Sequence, residues 1–201
     1  MVSARYVLTV AEKLSLYVLL ERVSNLLRSE LRAAGASHEL EPVHLQALDY
    51  LERANGYSNT PLGVAEYLGL TKGNVSQRLI ALERGGYLRR TPDAADGRVS
   101  HLTVTTKGRS VLRGAVPPRP WREALSHLPP DTRRGLENGL LELLHQLQAA
   151  RGFRSFGVCR TCRYFQPEGA GFRCGLTHEL LDREQSVKMC REHEAPATAS
   201  G

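Results

Sequence analysis

Long apolar runs are missing from this sequence. No stretch approaches the eighteen or more consecutive apolar residues that a membrane-spanning helix needs. The N-terminal stretch Tyr6–Ala11, which follows Arg5, is cut short of a signal-peptide core by Glu12 and Lys13. A cytoplasmic location with no membrane partner is therefore the expectation. Cysteine is absent from the first 158 residues and then occurs four times within 32. In a compartment that keeps thiols reduced, such a set does not read as a disulfide framework. There is no dinucleotide fingerprint, nucleophile elbow or paired-carboxylate site, which argues against an enzyme. The histidines His38, His44, His101, His127 and His145 are scattered and read as surface or cap residues. No internal repeat is found.

What is present is enough apolar sequence, 41% of 201 residues, for one ordinary domain and an accessory element. The net charge of +6 is unevenly spread. Residues 61–113 hold nine Lys/Arg against four Asp/Glu, whereas residues 1–60 hold six against seven. Residues 114–150 balance at four each, and residues 151–201 hold eight against six. A basic excess confined to one segment is the electrostatic footprint of a polyanion binder.

Helical periodicity places Leu16, Leu20, Val23, Leu27 and Leu31 on one stripe of a helix over residues 11–34, stopped by Gly35. A second helix is predicted from Val43 to Ala54 behind Pro42. Thr60 caps a short third helix from Pro61 to Gly69, and Thr71 caps a fourth from Lys72 to Arg84. Two short helices joined by a brief glycine-containing turn are a helix-turn-helix pattern. Ala65, Leu68, Leu70, Val75, Leu79 and Leu82 are its candidate core. A hairpin follows: Tyr87–Arg90 and Val99–Val104 read as strands, joined by the polar turn Thr91–Arg98. Thr106 is predicted to cap a further helix that Pro117 and Pro118 end. Residues 117–130 read as a bent connector around Trp121. The amphipathic stretch from Asp131 then carries Leu136, Leu140, Leu143, Leu144 and Leu147 on one face.

In such an arrangement the second helix of the pair fits the major groove of double-stranded DNA, with its N-terminal residues at base edges. Here these are Thr71, Lys72, Asn74, Ser76, Gln77 and Arg78. Asn and Gln pair bidentately with adenine, Arg and Lys with guanine, and Ser or Thr with either. The hairpin would bring Arg98 to the minor groove and Arg89 or Arg90 to phosphates.

The run Leu70-Thr71-Lys72-Gly73-Asn74-Val75-Ser76-Gln77 is followed by Leu82-Glu83-Arg84-Gly85-Gly86-Tyr87-Leu88. Further on stand Asp93-Ala94-Ala95-Asp96-Gly97-Arg98 and Leu102-Thr103-Val104-Thr105-Thr106-Lys107-Gly108-Arg109. Across roughly residues 10–150 this sequence resembles the MarR family of winged-helix regulators. The resemblance implies a homodimer whose terminal helices, residues 11–34 and 131–151 here, intertwine, with each wing arginine entering a minor groove. Arg98 stands where that arginine belongs. The helix after Thr106 looks short for the family, and the family has no general cysteine-rich tail.

The tail has the spacing Cys159-x2-Cys162-x11-Cys174-x15-Cys190, with His193 three residues after the last. Four thiols in a reducing compartment read as a metal site. Zinc and an iron–sulfur cluster both accept four thiolates. Structural zinc ribbons usually supply two close Cys pairs, and here only the first pair is close. Cys-x2-Cys-x-Tyr-Phe followed by two distant cysteines resembles the pattern of high-potential iron–sulfur proteins and related small cluster-binding domains. A [4Fe-4S] cluster is therefore the favoured cofactor and zinc the alternative. Tyr164 and Phe165 either shield a cluster or simply pack. His193 reads as a neighbour of the site rather than a ligand, with Cys3His zinc left open.

The expected protein is mainly α with a small β-hairpin wing. Residues 1–152 form the winged-helix DNA-binding and dimerisation domain, residues 153–194 the cysteine-rich metal-binding extension, and residues 195–201 a disordered tail. The expected function is a homodimeric DNA-binding transcriptional regulator modulated by its four-cysteine centre. The alternatives are a regulator with a structural zinc tail that answers to a small ligand between its helices, and a redox enzyme with a winged-helix docking module.

Overall fold

Ser15 opens the first helix, its hydroxyl accepting from the Val18 amide at 3.3 Å. The computed structural model describes residues 14–94, 96–152 and 154–196. Within them helix α1 spans Leu16–Gly35, α2 Pro42–Arg53, α3 Pro61–Leu68 and α4 Lys72–Arg84. Strands β1 (Leu88–Pro92) and β2 (Ser100–Val104) pair antiparallel with Leu88 opposite Val104 and Pro92 opposite Ser100. Helices α5 (Thr106–Ala115), α6 (Arg119–Ser126) and α7 (Pro130–Arg151) follow. The start of the first helix at residues 11–13, Ala95 of the wing turn and residues 197–201 of the tail lie outside the described residues.

The core is built around α2, which packs against α1, α3, α4, α5 and β2. Leu45, Leu48 and Tyr50 are fully buried on it. Ala65, Val75, Leu79 and Leu82 join this cluster as buried residues, and Leu68 and Leu70 pack against it partly exposed. Thr60 and Thr71 accept from the amides of Gly63 and Asn74, satisfying donors that the first turns of α3 and α4 leave unpaired.

Three local readings differ from the structure. The cap of α5 is Thr105, which accepts from the Gly108 amide at 3.2 Å, rather than Thr106. A Cβ on Gly108 would sit 2.3 Å from the Tyr87 carbonyl oxygen, so this helix approaches the hairpin as only glycine allows. Residues 117–130 are not merely a connector, because α6 forms within them. Pro118 stands at its N-cap and Pro120 in its first turn, where a missing amide costs no helical hydrogen bond. Of the histidines read as surface or cap residues, His44 is a cap, though a buried one, and His101 is neither. His44 is buried and accepts from the Glu41 amide at 3.1 Å, and burial lowers its pKa. His101 bridges two polar side chains, as described below.

The cysteine-rich segment forms small sheets. β3 (Gly157–Val158) pairs with β7 (Met189–Cys190), and β4 (Phe165–Glu168), β5 (Gly171–Cys174) and β6 (Leu180–Leu181) form a meander. One helical turn, α8 (Arg183–Ser186), is capped by Asp182. This segment is seated on the winged domain. The Asn55 amide donates to the Met189 carbonyl at 2.9 Å, and the Gly56 amide to Gln185 Oε1 at 2.7 Å. Arg191 makes two 3.0 Å bonds to the Glu66 carboxylate. Phe156 meets Tyr50 and Tyr67 edge-on, with ring centroids 5.9 and 5.3 Å away. Its backbone is left-handed at φ 51°, a strained conformation for an aromatic residue, held where the ring enters the core.

Among the described residues no helix is long and apolar enough to cross a membrane. Since Leu79 is fully buried in the core shared by α2, α3 and α4, Leu79→Ala should destabilise the fold by about 2–5 kcal/mol. Urea unfolding followed by circular dichroism measures this.

Candidate nucleic-acid interface and thiol cluster

Helix α4 presents its sides differently. Val75 and Leu79 face inward, while Thr71, Lys72, Asn74, Ser76 and Gln77 are exposed. The Thr71 hydroxyl is committed to its cap at Asn74. Arg78 is half-buried and paired with Glu41 at 2.5 Å, so it is held towards the start of α2. Reading a base with Arg78 requires that pair to open. Asn74 and Arg78 line a cleft of about 350 Å³ together with Arg28 and Arg32 of α1.

The hairpin is stiffened by its own turn. The Asp96 amide donates to Asp93 Oδ1 at 2.8 Å, and the Arg98 amide to Asp96 Oδ1 at 3.0 Å. The Arg98 guanidinium reaches back to both Asp96 oxygens at 3.0 Å while its side chain stays 91% exposed. That contact lowers the Asp96 carboxyl pKa. Arg89 is exposed on β1, and Arg90 lies 3.5 Å from Glu83.

Lys72 at the start of α4 and Arg90 and Arg98 of the wing line one groove of about 860 Å³. Its floor is the α2–α3 loop and β2, with Tyr57 and His101. The tail adds Glu179 and Arg191 to its wall. Of the residues expected at base edges, Lys72 lines this groove with Arg90 and Arg98 of the wing, whereas Asn74 and Arg78 line the cleft beside α1.

His101 is a residue whose role the sequence did not reveal. Its Nδ1 lies 2.7 Å from Asn59 Oδ1 and its Nε2 2.9 Å from Asp93 Oδ2. The Leu102 amide donates to the Asn59 carbonyl at 2.7 Å. The wing is thereby tied to the α2–α3 loop. Period-two alternation in β2 marks His101 only as a residue on one face, since Asn59 is 42 positions away.

On the other side of the same loop lie the thiols, which form no disulfide. Cys159 and Cys190 are buried, and Cys162 and Cys174 half-buried. The Cys159 thiol donates to the Cys190 sulfur, and this contact, with the Glu192 amide, Ser58 and Asn55, holds Cys190 below the usual thiol range. Cys159 is held far above that range by the same pairing and by burial. Asn55 Nδ2 donates to Cys159 Sγ at 3.1 Å, and the Glu194 amide to Cys162 Sγ at 3.4 Å. Cys174, Phe165 and Phe172 pack against the buried pair, the two rings 4.6 Å apart. Tyr164 is half-buried, with Arg163 over its ring at 4.8 Å. Both ring nitrogens of His193 are engaged, by Ser155 at 3.1 Å and Thr161 at 3.0 Å.

Among the described residues no group of three or more His, Cys, Asp or Glu side chains stands close enough to hold a metal ion. The structure brings Cys159 and Cys190 together with Cys174 beside them, and binding by all four requires Cys162 and Cys174 to turn onto that pair. The chemistry of the set fits a thiolate-bound group, because N–H donors already aim at two of the sulfurs.

Residues 38–99 match the sequence profile of the MarR family. The transcriptional repressor MprA of Escherichia coli K12 is 30% identical over 124 residues, which is 59% of this chain and 68% of MprA. Among solved structures, Staphylococcus aureus MepR in its DNA-binding conformation superposes with a TM-score of 0.59 at 22% identity, covering 67% of this chain and all of MepR. Streptococcus pneumoniae FabT, solved in complex with DNA, gives 0.53 at 26% identity, covering 66% of this chain and 94% of FabT. With MprA covered to 68% of its length at 30% identity and the family profile matched, the chain belongs to the MarR family of winged-helix regulators.

Proposed function

We propose that this chain is a sequence-specific, homodimeric DNA-binding transcriptional regulator whose C-terminal cysteines hold a metal centre that modulates it. The observation that carries the DNA reading is the shared groove, where Lys72 of α4 meets Arg90 and Arg98 of the wing. Thr71, Lys72, Asn74, Ser76 and Gln77 face bases, with Arg78 joining once freed from Glu41. Arg98 enters the minor groove, and Arg89 and Arg90 contact phosphates. Solved relatives include one in complex with DNA and one in a DNA-binding conformation, which supports the reading.

The dimer reading rests on apolar surface that a single chain leaves uncovered. Leu16, Tyr17, Val23 and Leu26 of α1 are exposed, as are Leu136, Leu140, Leu141, Leu144 and Leu147 of α7. Patches of this size on long terminal helices mark an interface. A second copy covers them and sets two recognition helices about 34 Å apart, one turn of duplex.

The thiolate reading rests on the buried Cys159–Cys190 pair and its N–H donors. The set favours [4Fe-4S], with zinc the alternative. Bound there, the group would supply cross-linking of a segment poor in aliphatic residues and, for a cluster, sensitivity to oxidant. A structural zinc tail combined with response to a small ligand is the second reading, favoured by the cleft beside Arg28, Arg32 and Arg78.

Duplex affinity should fall steeply as salt rises, in fluorescence anisotropy titrations, because phosphate contacts release counterions. Arg98→Ala should weaken binding to all duplexes alike. Gln77→Ala should instead relax base preference, by about 1–3 kcal/mol for a bidentate pair lost. Unchanged affinity and preference in both folded variants would place the reading surface elsewhere.

Replacing Leu140 and Leu144 together by Glu should yield monomers in analytical ultracentrifugation and remove tight operator binding, while the helical content of the winged domain persists. A double variant that stays dimeric would move the interface off α7.

Anaerobic reconstitution should give iron and sulfide at about four each per chain with broad visible absorption. Stoichiometric zinc without iron would replace the cluster by the alternative. A chain ending after Gly152 that binds and responds like full length would remove the tail from regulation.

A further inference from the structure

The loop between α2 and α3, residues 54–60, touches the thiols on one side and the wing on the other. A continuous series of side-chain and backbone hydrogen bonds crosses it. Asn55 Nδ2 donates to Cys159 Sγ at 3.1 Å, and Asn55 Oδ1 accepts from the Ser58 amide at 2.9 Å. The Asn59 amide donates to the Asn55 carbonyl at 3.1 Å. Asn59 Oδ1 meets His101 Nδ1 at 2.7 Å, and His101 Nε2 meets Asp93 Oδ2 at 2.9 Å. Asp93 Oδ1 receives the Asp96 amide at 2.8 Å, and Asp96 grips Arg98 at 3.0 Å. Every step is within hydrogen-bond distance, from a buried sulfur to the exposed tip of the wing.

We infer that Asn55 and Ser58 are positioning residues of the thiol site, and that the α2–α3 loop transmits the state of its sulfurs to Arg98 through Asn59, His101 and Asp93. The inference deepens the tail reading given above and rests on it. The physical argument is one of shared donors. A sulfur changes its demand for hydrogen bonds when it is ligated, oxidised or alkylated, and Asn55 answers that demand with the same side chain that holds the turn at Ser58. Ser58 is fully buried, its carbonyl accepts from Tyr50 Oη at 2.9 Å, and its hydroxyl accepts from the Arg191 amide at 3.0 Å. A Cβ on Gly63 would lie 2.3 Å from the same carbonyl oxygen. So tightly enclosed a loop cannot absorb a shift at Asn55 by local slack, and beyond Ser58 it meets the wing through Asn59. A thermodynamic cycle measures the coupling between the two ends of the series.

The test uses the full chain and hydrogen exchange of the β2 amides, residues 100–104, followed by mass spectrometry. Asn55→Asp keeps the oxygen that caps Ser58 and removes the amide donor to Cys159. Cys159→Ser changes the sulfur, and Asn59→Ala cuts the series on the wing side. Asn55→Asp and Cys159→Ser should each speed β2 exchange roughly fivefold, the weight of one hydrogen bond. The double variant should go no further than either single one. In an Asn59→Ala background, Cys159→Ser should leave β2 exchange unmoved, and this pair carries the test if Asn55→Asp does not fold. Additive effects, or β2 exchange unchanged while the tail strands respond, would overturn the inference. Elemental analysis of the same samples judges the metal centre separately. A chain without iron or zinc whose variants remain non-additive keeps the coupling and loses the metal.

Discussion

Tyr50 lies wholly inside the apolar core, and its hydroxyl donates to the Ser58 carbonyl at 2.9 Å. A phenol in such a place must find a partner, because an unpaired buried donor costs on the order of 1–3 kcal/mol. The partner it finds is the turn between α2 and α3, and burial keeps the phenol protonated far above its ordinary range. The ring also stacks on Tyr67 at 4.6 Å and receives the edge of Phe156 from the tail. One side chain therefore anchors the loop, the helix-turn-helix and the cysteine-rich segment at a common point.

From that anchor the molecule divides its polar work. On the wing face Arg98 is paired with Asp96 but stays 91% exposed, so water screens the pair and phosphates compete for the arginine at little cost. The tail face does the reverse. Arg191 and Glu66 are held in a two-point pair with the arginine side chain only 13% exposed, and both buried sulfurs receive donors. Contacts to a diffusing polyanion need exposure and reversibility. Contacts that seat one segment on another gain from fixed two-point geometry and a lower local dielectric.

The long terminal helices are a third kind of surface. Only the C-terminal end of α1, at Leu27, Leu31, Ala34 and Gly35, reaches the core, and along residues 130–150 every residue but Leu143 and Gln148 is exposed. Two amphipathic helices of this length have more apolar surface than one small winged domain can cover. Their stripes are readable as burial without the identity of what buries them.

The amino-acid order alone determined the helix-turn-helix, since its signals are local: threonine caps, a left-handed Gly69, helical spacing of Val75, Leu79 and Leu82, and a polar turn between two short strands. It also determined the concentration of basic residues in 61–113 and of thiols in the tail. Helix α6 escaped notice because three prolines within four residues read as a break, although two of them fall at the helix start where proline is tolerated. The tertiary structure alone decided that Arg78 is held by Glu41, that His101 joins Asn59 to Asp93, and that the tail sits on the α2–α3 loop. These side-chain contacts join residues from 8 to 133 positions apart. No local periodicity encodes such pairs, because they are selected by which polar groups remain unsatisfied once the apolar core has closed.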